Sequence, residues 1–505
     1  MKNKIKSNET KNDSKKIKKF LNVIYVILLI LSSLIFSIML LINQSFKMTK
    51  FDRILYTLLN LKTLNYFDSI YEPIIIVFSA FVIILCILMF PLVLSFFFDK
   101  DKYIKIRKKK IRIYPFSLKY WSFLCFGISL IVFINTLNVG EFLINTFSHT
   151  NIYDEYYVDY KKENIKFPDK KRNLITIYVE SLENSVFSKE NGGASNESYM
   201  PILEKLTDNY INFSNTEKIG GFYEVNGTGW TAAALVSQTA GIPTYVRTKN
   251  KENKFLDGAI SIGEILKDNG YKNYFLMGSD ADFADRRNYF SEHGNYDIID
   301  YPRAIDNGWL DENYYMWWGF EDFKLYNFAK NMLVELSMED EPFNFSILTA
   351  DTHFFEGFVD ISCPKKFDSN YANSFYCTDI MLSNFIEWIK LQPFYENTTI
   401  VIVGDHLTMR DDFFDIKKDY DRTVYNLFIN SSIDTNNTKN RDFSGFDILP
   451  TTLASIGADI ENDRLALGTN MFSNKKTLVE ELGINKFNKE IIKSSKFYKN
   501  NIIKN

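Results

Sequence analysis

Residues 173–180 have the sequence NLITIYVE, a mostly apolar and β-branched run that ends in one acid, Glu180. The run has the length of an ordinary strand and lacks the alternation of apolar and polar residues that marks a half-exposed strand. Such a run is typical of a parallel strand that is covered on both faces. This stretch therefore predicts the central strand of a sheet buried between two layers.

Similar runs recur along the chain, separated by stretches of helical pattern. The strand-like runs are Leu174–Val179, Tyr274–Met277, Phe343–Leu348, Thr399–Val403 and Val424–Ile429. The helical stretches are Trp230–Ala240, Ile262–Asn269, Asp379–Leu391 and Asp447–Ile456. Alternation of this kind predicts an α/β fold with a mostly parallel central sheet covered by helices.

Acids and histidines follow four of these strands directly. In open α/β sheets, ligands bind beyond the carboxyl ends of the strands, so these side chains should face one crevice. They are Glu180, Asp280, Asp351 with His353, and Asp405 with His406. Carboxylates suit hard divalent cations, and an imidazole widens the choice to Mn²⁺ or Zn²⁺. Glu180, Asp405 and His406 are therefore predicted to bind a metal ion.

A further chemical signal lies in the Ala-rich segment from Gly227 to Pro243, whose last residues predict the end of a helix. Thr228 or Thr231 then lies near the helix N-terminus, where unpaired N–H groups and the helix dipole favour an anion. A hydroxyl in that place, beside a metal, can attack a phosphate. A threonine at a helix start is more often only a cap, and the residue pattern leaves the choice between the two threonines open.

Three long runs without charge precede this α/β part: Phe20–Ile42, Pro73–Phe98 and Tyr120–Val139. A helix needs about 20 apolar residues to cross a membrane, so each run predicts a transmembrane helix. Residues 1–19 carry eight Lys and residues 99–119 nine Lys or Arg, against four in residues 43–72. Because basic segments stay in the cytoplasm, the chain after about residue 148 is expected outside the cytoplasmic membrane.

These signals predict four regions. Residues 1–147 form a multi-pass membrane domain with three transmembrane helices, and residues 148–172 a juxtamembrane linker. Residues 173–470 form the catalytic domain, and residues 471–505 a polar C-terminal tail that frays. The net charge of −3 gives no indication of a nucleic-acid partner. Cys363 and Cys377 are the two cysteines of the exterior part, and either a disulfide or two free thiols fits the pattern.

Five motifs in this order resemble the phosphoglycerol transferase family, within the alkaline phosphatase/sulfatase-like superfamily. That family includes enzymes that decorate periplasmic glucans and the lipoteichoic acid synthases. The motifs are Asn173–Glu183, Asn226–Thr231 with Gly241-Ile-Pro243, Asp351-Thr-His353, Gly404-Asp-His406 and Asp447–Thr451. The resemblance extends from about residue 150 to about residue 470 and is stronger to the glucan-modifying branch.

The resemblance implies roles for individual residues. Thr228, flanked by Gly227 and Gly229, matches the catalytic nucleophile, which leaves Thr231 as a supporting hydroxyl. The implied ligands of a single Mn²⁺, with Mg²⁺ or Zn²⁺ as alternatives, are Glu180, Thr228, Asp405 and His406. His353 is expected to contact the substrate phosphate and take part in catalysis. Arg286, Arg287 and Asp280 are expected to bind substrate, although Ala284 stands where the teichoic acid branch has a Trp.

The implied activity is transfer of phosphoglycerol from phosphatidylglycerol to a surface or periplasmic glycan, through a covalent threonine intermediate. Three alternatives stay open at this point: a phosphoethanolamine transferase, a sulfatase-like hydrolase and a non-catalytic membrane-tethered binding protein. A sulfatase requires Cys or Ser in a C/S-x-P-x-R context, and neither Cys363-Pro-Lys-Lys366 nor any other segment provides it.

Overall fold

The computed structural model describes residues 2–42, 51–59, 67–97, 103–106, 109–112, 118–410 and 412–504. These residues divide into two compact units: the first contains nearly all described residues up to Ile144, and the second contains Leu59 and the residues from Asn145 onward. The second unit contains the large sheet and every residue predicted above to take part in chemistry.

The first unit is helical and apolar. Its elements up to residue 147 are α1 (Lys2–Leu41), α2 (Phe51–Leu59), α3 (Phe67–Phe97), β1 (Tyr103–Ile106), β2 (Lys109–Arg112), α4 (Leu118–Thr136) and α5 (Val139–Phe147). α1 packs against α3 and α4. Two described stretches, Lys15–Leu41 and Leu118–Thr136, are long and apolar enough to cross a membrane, and α3 contains a shorter apolar stretch, Ile75–Pro91. The end of the second predicted span and much of the basic segment 99–119 lie outside the described residues.

The second unit alternates strands with helices. Its strands are β3 (Ile165–Lys166), β4 (Asn173–Val179), β5 (Gly221–Phe222), β6 (Lys272–Met277), β7 (Asp297–Ile299), β8 (Phe343–Leu348), β9 (Thr398–Gly404), β10 (Val424–Ile429), β11 (Asp459–Ile460), β12 (Arg464–Leu465) and β13 (Gly468–Thr469). Its helices are α6 (Ile152–Tyr156), α7 (Pro201–Thr207), α8 (Thr231–Ala240), α9 (Ile262–Asp268), α10 (Arg286–Glu292), α11 (Tyr301–Asp306), α12 (Asp322–Leu336), α13 (Asn370–Lys390), α14 (Ile448–Ser455), α15 (Leu478–Leu482) and α16 (Ile484–Ile491).

Seven strands form the central sheet in the order β5-β10-β9-β4-β8-β6-β7. β9, β4, β8, β6 and β7 pair in parallel, whereas β10 runs antiparallel to β9 and to β5. β4 lies in the middle, as its uninterrupted apolar sequence predicts. The α/β fold with a mostly parallel central sheet is thereby confirmed.

The side chains of β4 show why its sequence has no alternation. Leu174 and Tyr178 belong to the core on one face of the sheet, which also contains residues of α8, α9 and α14. Ile175 and Ile177 belong to the core on the other face, which contains residues of α7, α12 and α13. Because helices cover both faces of the sheet, successive residues of β4 enter one core or the other, and no position needs to be polar.

The C-terminal segment differs from the predicted polar tail. Residues 478–491 form α15 and α16, and several side chains of the segment are almost fully buried, among them Phe487, Ile491, Tyr498 and Ile502. Phe487 and Ile491 are four residues apart, which places both on one face of α16. The many Lys and Asn residues between them concealed this stripe, so the prediction of a frayed tail was wrong.

The predicted linker and the cysteines are also part of the second unit. Within residues 148–172, α6 buries Ile152 and Tyr153, and β3 pairs with β11. Cys363 and Cys377 form a disulfide bond that ties the chain after β8 to the buried face of α13. Pairing of these two cysteines, one of the two alternatives left open by the sequence, is therefore confirmed.

Candidate active site

The register of two neighbouring strands places the first candidate ligands side by side. β4 and β9 are parallel, and Val179 lies opposite Gly404. The next residue of each strand, Glu180 and Asp405, therefore leaves the sheet at the same level. Gly404 has no side chain because a Cβ there would lie 1.9 Å from the carbonyl oxygen of Leu182. This close approach explains the glycine of the Gly-Asp-His motif.

Glu180, Asp405 and His406 form a buried cluster, as the strand ends predict. Each offers one ligand atom, and these atoms all lie within 4.8 Å of one another. Nε2 of His406 lies 3.6 Å from Oε1 of Glu180 and 3.4 Å from Oδ2 of Asp405. The three side chains are at most 3% exposed. Two carboxylates and an imidazole at this spacing fit a single divalent cation.

The hydrogen bonds of the cluster leave atoms for such an ion. Oδ1 of Asp405 accepts from the backbone N–H groups of Ser181 and His406, both at 2.8 Å, while buried Oδ2 has no hydrogen-bond partner among the described residues. Nδ1 of His406 donates to the carbonyl oxygen of Leu407 at 2.8 Å, which leaves the Nε2 lone pair for a metal. A buried orphan oxygen costs about 1–3 kcal/mol, and a bound cation would remove that cost.

Thr231, rather than Thr228, has its hydroxyl at this cluster. Thr231 is the first residue of α8, and its Oγ1 lies 3.4 Å from Oε2 of Glu180 and 3.5 Å from Nε2 of His406. The Thr228 hydroxyl donates to the carbonyl oxygen of Val225 at 2.8 Å and accepts from the Val225 N–H at 3.2 Å. Thr228 closes a turn in the loop before the helix. Gly227, one of the two glycines that favoured Thr228 in the sequence, has a φ of +81° in that turn.

Burial controls the protonation of the cluster. Burial, and next the neighbouring Glu180, raise the pKa of Asp405 to about 7. For His406, burial lowers the pKa, but Asp405 and Glu180 raise it by more, so the net shift is upward. The metal-free cluster therefore holds protons that a divalent cation must displace.

Metal binding should accordingly weaken as the pH falls below about 7. Asp405 then takes up a proton that competes with the cation, so we expect the apparent Kd for Mn²⁺ to rise about tenfold for each pH unit. Isothermal titration calorimetry at pH values of about 6, 7 and 8, in two buffers of different ionisation enthalpy, measures both the affinity and the proton release. An affinity that stays constant over this range would contradict the expectation.

His353 lies within electrostatic reach of the cluster as a neutral base. Burial, followed by the nearby charge of His406, lowers the pKa of His353 to about 4 even though Phe354 and Asp405 act in the opposite direction. Nδ1 donates to the carbonyl oxygen of Phe354 at 2.7 Å, so Nε2 carries the free lone pair. The ring of Trp318 packs edge-on at 4.7 Å. His353 is thus arranged to accept a proton or a hydrogen bond through Nε2.

Arg286 and Arg287 have different surroundings. The Arg286 guanidinium donates to the carbonyl oxygens of Phe283 at 3.0 Å and Asp280 at 2.7 Å, and its positive charge reaches His353. Arg287 forms ion pairs with Asp282 and Asp300, both at 2.5 Å. Of the two, Arg286 is the one that the structure places near the predicted chemistry.

Asp280 also lies by Arg287, at 3.7 Å, and burial raises the pKa of its carboxyl. Its carboxylate accepts from the N–H of Asp282 at 2.8 Å. The structure gives it no contact with the metal cluster among the described hydrogen bonds and ion pairs, so its substrate role stays a prediction.

Two residues of the site had no signal in the sequence. Oε2 of Glu224 accepts from the N–H of Leu407 at 3.0 Å, next to the carbonyl that orients His406. Trp318 lies far from His353 in the chain and reaches it through the loop before α12. Glu224 follows β5, a two-residue strand without a signal in the sequence, and Trp318 follows no strand, so only the tertiary structure reveals them.

Comparison with known proteins agrees with the motifs. The model of a family described as Sulfatase matches residues 172–458. Phosphoglycerol transferase I of Escherichia coli O127:H6 is 32% identical over 279 residues, which is 53% of this chain and 35% of the relative. The same protein of Escherichia coli K12 gives the same values. The chain thus matches about a third of the length of these curated relatives.

Solved structures with the same kind of domain share less sequence. The lipoteichoic acid synthase LtaP from Listeria monocytogenes is 20% identical, with a TM-score of 0.47, covering 62% of this chain and 80% of that one. The C-terminal periplasmic domain of EcEptC from Escherichia coli, in complex with Zn, is 16% identical, with a TM-score of 0.44, covering 62% and 90%.

Proposed function

Because this chain belongs to the sulfatase family, we propose that it is a membrane-anchored, metal-dependent phosphotransferase. Its proposed reaction moves phosphoglycerol from phosphatidylglycerol to an extracytoplasmic glycan through a covalent intermediate on Thr231. The observation that carries the proposal is the Thr231 hydroxyl at the start of α8, beside Glu180 and His406. The curated relatives named phosphoglycerol transferase I support the choice of donor.

The proposed nucleophile is a threonine, which separates this chain from a sulfate-ester hydrolase. Thr231 is followed by Ala232, Ala233 and Ala234, without the Pro and Arg that formylglycine formation requires. A hydroxyl at a helix N-terminus faces N–H groups that have no partner within the helix and that stabilise phosphate oxygens. This arrangement favours phosphoryl transfer with the threonine itself as the attacking group.

The reaction proceeds in two balanced steps. In the first, Oγ1 of Thr231 bonds to phosphorus as the bond to the diacylglycerol oxygen breaks, and the threonine proton balances the one that diacylglycerol gains. In the second, an acceptor hydroxyl bonds to phosphorus, the bond to Thr231 breaks, and Thr231 regains a proton. Neutral His353 accepts the acceptor's proton at Nε2. The positive charge of Arg286, which reaches His353, would neutralise phosphate charge there.

The metal site takes part through residues that the structure brings together. Glu180, Asp405 and His406 would bind the ion, with Thr231 beside them, and Mn²⁺ is the expected metal. A bound divalent cation lowers the pKa of a neighbouring hydroxyl and neutralises phosphate charge.

The proposal places the catalytic unit outside the cytoplasmic membrane, anchored by several transmembrane helices. The positive charges at residues 1–19 favour a cytoplasmic N-terminus. The disulfide between Cys363 and Cys377 supports an oxidising compartment for the catalytic unit. Anchoring keeps the site at the surface that holds a lipid donor, which raises the effective donor concentration.

A donor assay tests this function. Full-length protein in liposomes with Mn²⁺ should release diacylglycerol from phosphatidylglycerol at least about tenfold faster than from phosphatidylethanolamine, because the headgroup is bound in the transition state. Mass spectrometry of an added glucan should detect glycerophosphate. Faster release from phosphatidylethanolamine would overturn the donor in favour of phosphoethanolamine transfer. Metal-loaded protein that releases diacylglycerol from neither lipid would overturn the proposed activity.

A further inference from the structure

The C-terminal helix α16 lies outside the residues matched by the family model, which end at 458. It is nevertheless fixed in the catalytic unit, because Phe487 and Ile491 are fully buried. The Phe487 ring packs edge-on against Phe446 at 6.0 Å. This segment therefore belongs structurally to the domain that holds the active site.

One side chain of α16 reaches the loop that leads to Thr231. Oδ1 of Asn488 accepts from the backbone N–H of Asn226 at 2.6 Å. Nδ2 of Asn226 also donates to the backbone carbonyl of Asn488 at 3.1 Å. Asn226 thus donates two partly buried hydrogen bonds to Asn488.

Asn226 begins the turn from which α8 starts. Gly227 has a φ of +81°, and its carbonyl oxygen accepts from the N–H of Thr244 at 2.9 Å. Thr228 then closes the turn on Val225. The path of the chain from Val225 to Thr231 is therefore set by local bonds together with one tie from α16.

α16 is itself held by several neighbours. Oε2 of Glu490 accepts from the Thr150 hydroxyl at 2.9 Å, and the carbonyl oxygen of Ile491 accepts from the hydroxyls of Tyr153 and Tyr245. Further along, the Tyr498 hydroxyl donates to the carbonyl oxygen of Pro243, just after α8, at 2.7 Å. A helix anchored in this way can hold a loop in place rather than follow its motion.

We propose that Asn488 is a positioning residue that acts through Asn226 to hold Thr231 in place for attack. The inference rests on the proposed role of Thr231 as nucleophile. Displacing a reacting group by about 1 Å can cost about a hundredfold in rate, so a tie five residues before Thr231 is close enough to matter. Loss of this tie would displace the hydroxyl oxygen of Thr231, whereas Arg286 and His353 would keep their positions.

Replacement of Asn488 tests the inference against a matched control. Asn488→Ala should lower kcat about ten- to a hundredfold and leave KM for phosphatidylglycerol within about twofold, since only the geometry of attack changes. Asn485→Ala truncates the same residue type on the same helix at an exposed position, and should leave both constants unchanged. Asn488→Asp keeps the oxygen that accepts from Asn226 and should restore most of kcat.

Hydrogen exchange gives a readout that does not depend on activity. The amides of residues 225–231 should exchange faster in Asn488→Ala than in the unchanged protein or Asn485→Ala, at equal Tm. If Asn488→Ala unfolds, Asn488→Ser, which is too short to reach Asn226, replaces it in both measurements.

The outcomes separate this inference from the proposed function. An inactive Thr231→Ala together with normal kcat and normal exchange in Asn488→Ala would overturn the positioning role alone. An equal loss in Asn488→Asp and Asn488→Ala would also overturn it, since the acceptor oxygen would then be irrelevant. Full activity of Thr231→Ala would instead refute the proposed function.

Discussion

Replacing Thr231 with alanine should abolish diacylglycerol release from phosphatidylglycerol, with a loss of at least about a thousandfold in kcat, because it removes the attacking oxygen. The protein should stay folded, since among the described residues the Thr231 hydroxyl makes only two long hydrogen bonds, to Glu180 and His406 at 3.4 and 3.5 Å. Radiolabelled phosphatidylglycerol in liposomes measures the release. Mass spectrometry of the intact protein after brief incubation with donor should show a glycerophosphoryl adduct on Thr231.

The same substitution three residues earlier is the matched control. Thr228→Ala removes the hydroxyl that bonds to the backbone of Val225 and should cost about 1 kcal/mol of folding free energy. Its kcat should remain within about tenfold of the unchanged protein, since a shifted turn disturbs geometry but leaves the nucleophile. An adduct on Thr228, or greater activity loss in Thr228→Ala than in Thr231→Ala, would restore the threonine that the sequence favoured.

Replacing Asp405 with asparagine should eliminate tight metal binding and activity while raising the Tm of the metal-free protein by a few degrees. Oδ2 of Asp405 is buried and has no hydrogen-bond partner in the described part of the chain, and its neighbour Glu180 is a second buried carboxylate. The amide removes a charge that burial disfavours, and its oxygen still accepts from Ser181 and His406. Calorimetric unfolding after dialysis against EDTA measures the Tm.

Asp447 provides the control for this effect. Burial likewise raises the pKa of Asp447 to about 7. Its oxygens, however, accept from the N–H groups of Ser444 and Thr469, both at 2.8 Å. Asparagine at this position would place its NH₂ group against one of these two N–H donors, and two donors cannot bond to each other. Asp447→Asn should therefore lower the Tm. If both substitutions lowered the Tm equally, the orphan oxygen of Asp405 would not be a source of instability.

The cluster proposed to bind a metal was predictable because strand sequences strongly constrain where its residues lie. An uninterrupted apolar run indicates a central strand, and the residue that follows must lie at the carboxyl edge of the sheet. Glu180 and Asp405 follow from this rule alone, before any side-chain detail. His406 follows because it is adjacent to Asp405.

The proposed nucleophile was harder to predict from the sequence, because its position depends on a turn of a few residues. Thr228 and Thr231 are one helical turn apart, and the sequence does not state where α8 begins. The hydroxyl of Thr228 could bond to its own backbone, and it does so with Val225. Local bonding of this kind decides which threonine hydroxyl faces the metal cluster. Predicting it requires the φ and ψ angles of the turn, which only the structure supplies.

The C-terminal helix was missed for a different reason. The composition of residues 471–505 predicts a solvated tail. Phe487 and Ile491 form only a narrow apolar stripe, but that stripe is enough for α16 to pack against the domain. A short amphipathic helix gains most of its stability from tertiary packing. Some of its partners, such as Asn226, lie more than 200 residues away in the chain.

The pairing of Val179 with Gly404 has an evolutionary consequence. Main-chain ladder bonds set the spacing of the two acidic residues proposed as ligands, so the proposed catalytic centre is insulated from changes in loop length. The loops that carry Trp318 and His353 are not part of these two strands. They can change in sequence or length while the spacing of the proposed ligands persists. An insertion inside β9 would be far less tolerable, because a shift of one residue turns each side chain to the opposite face. Related proteins are therefore expected to differ in the sequences and lengths of these loops and to conserve the length of β4 and β9.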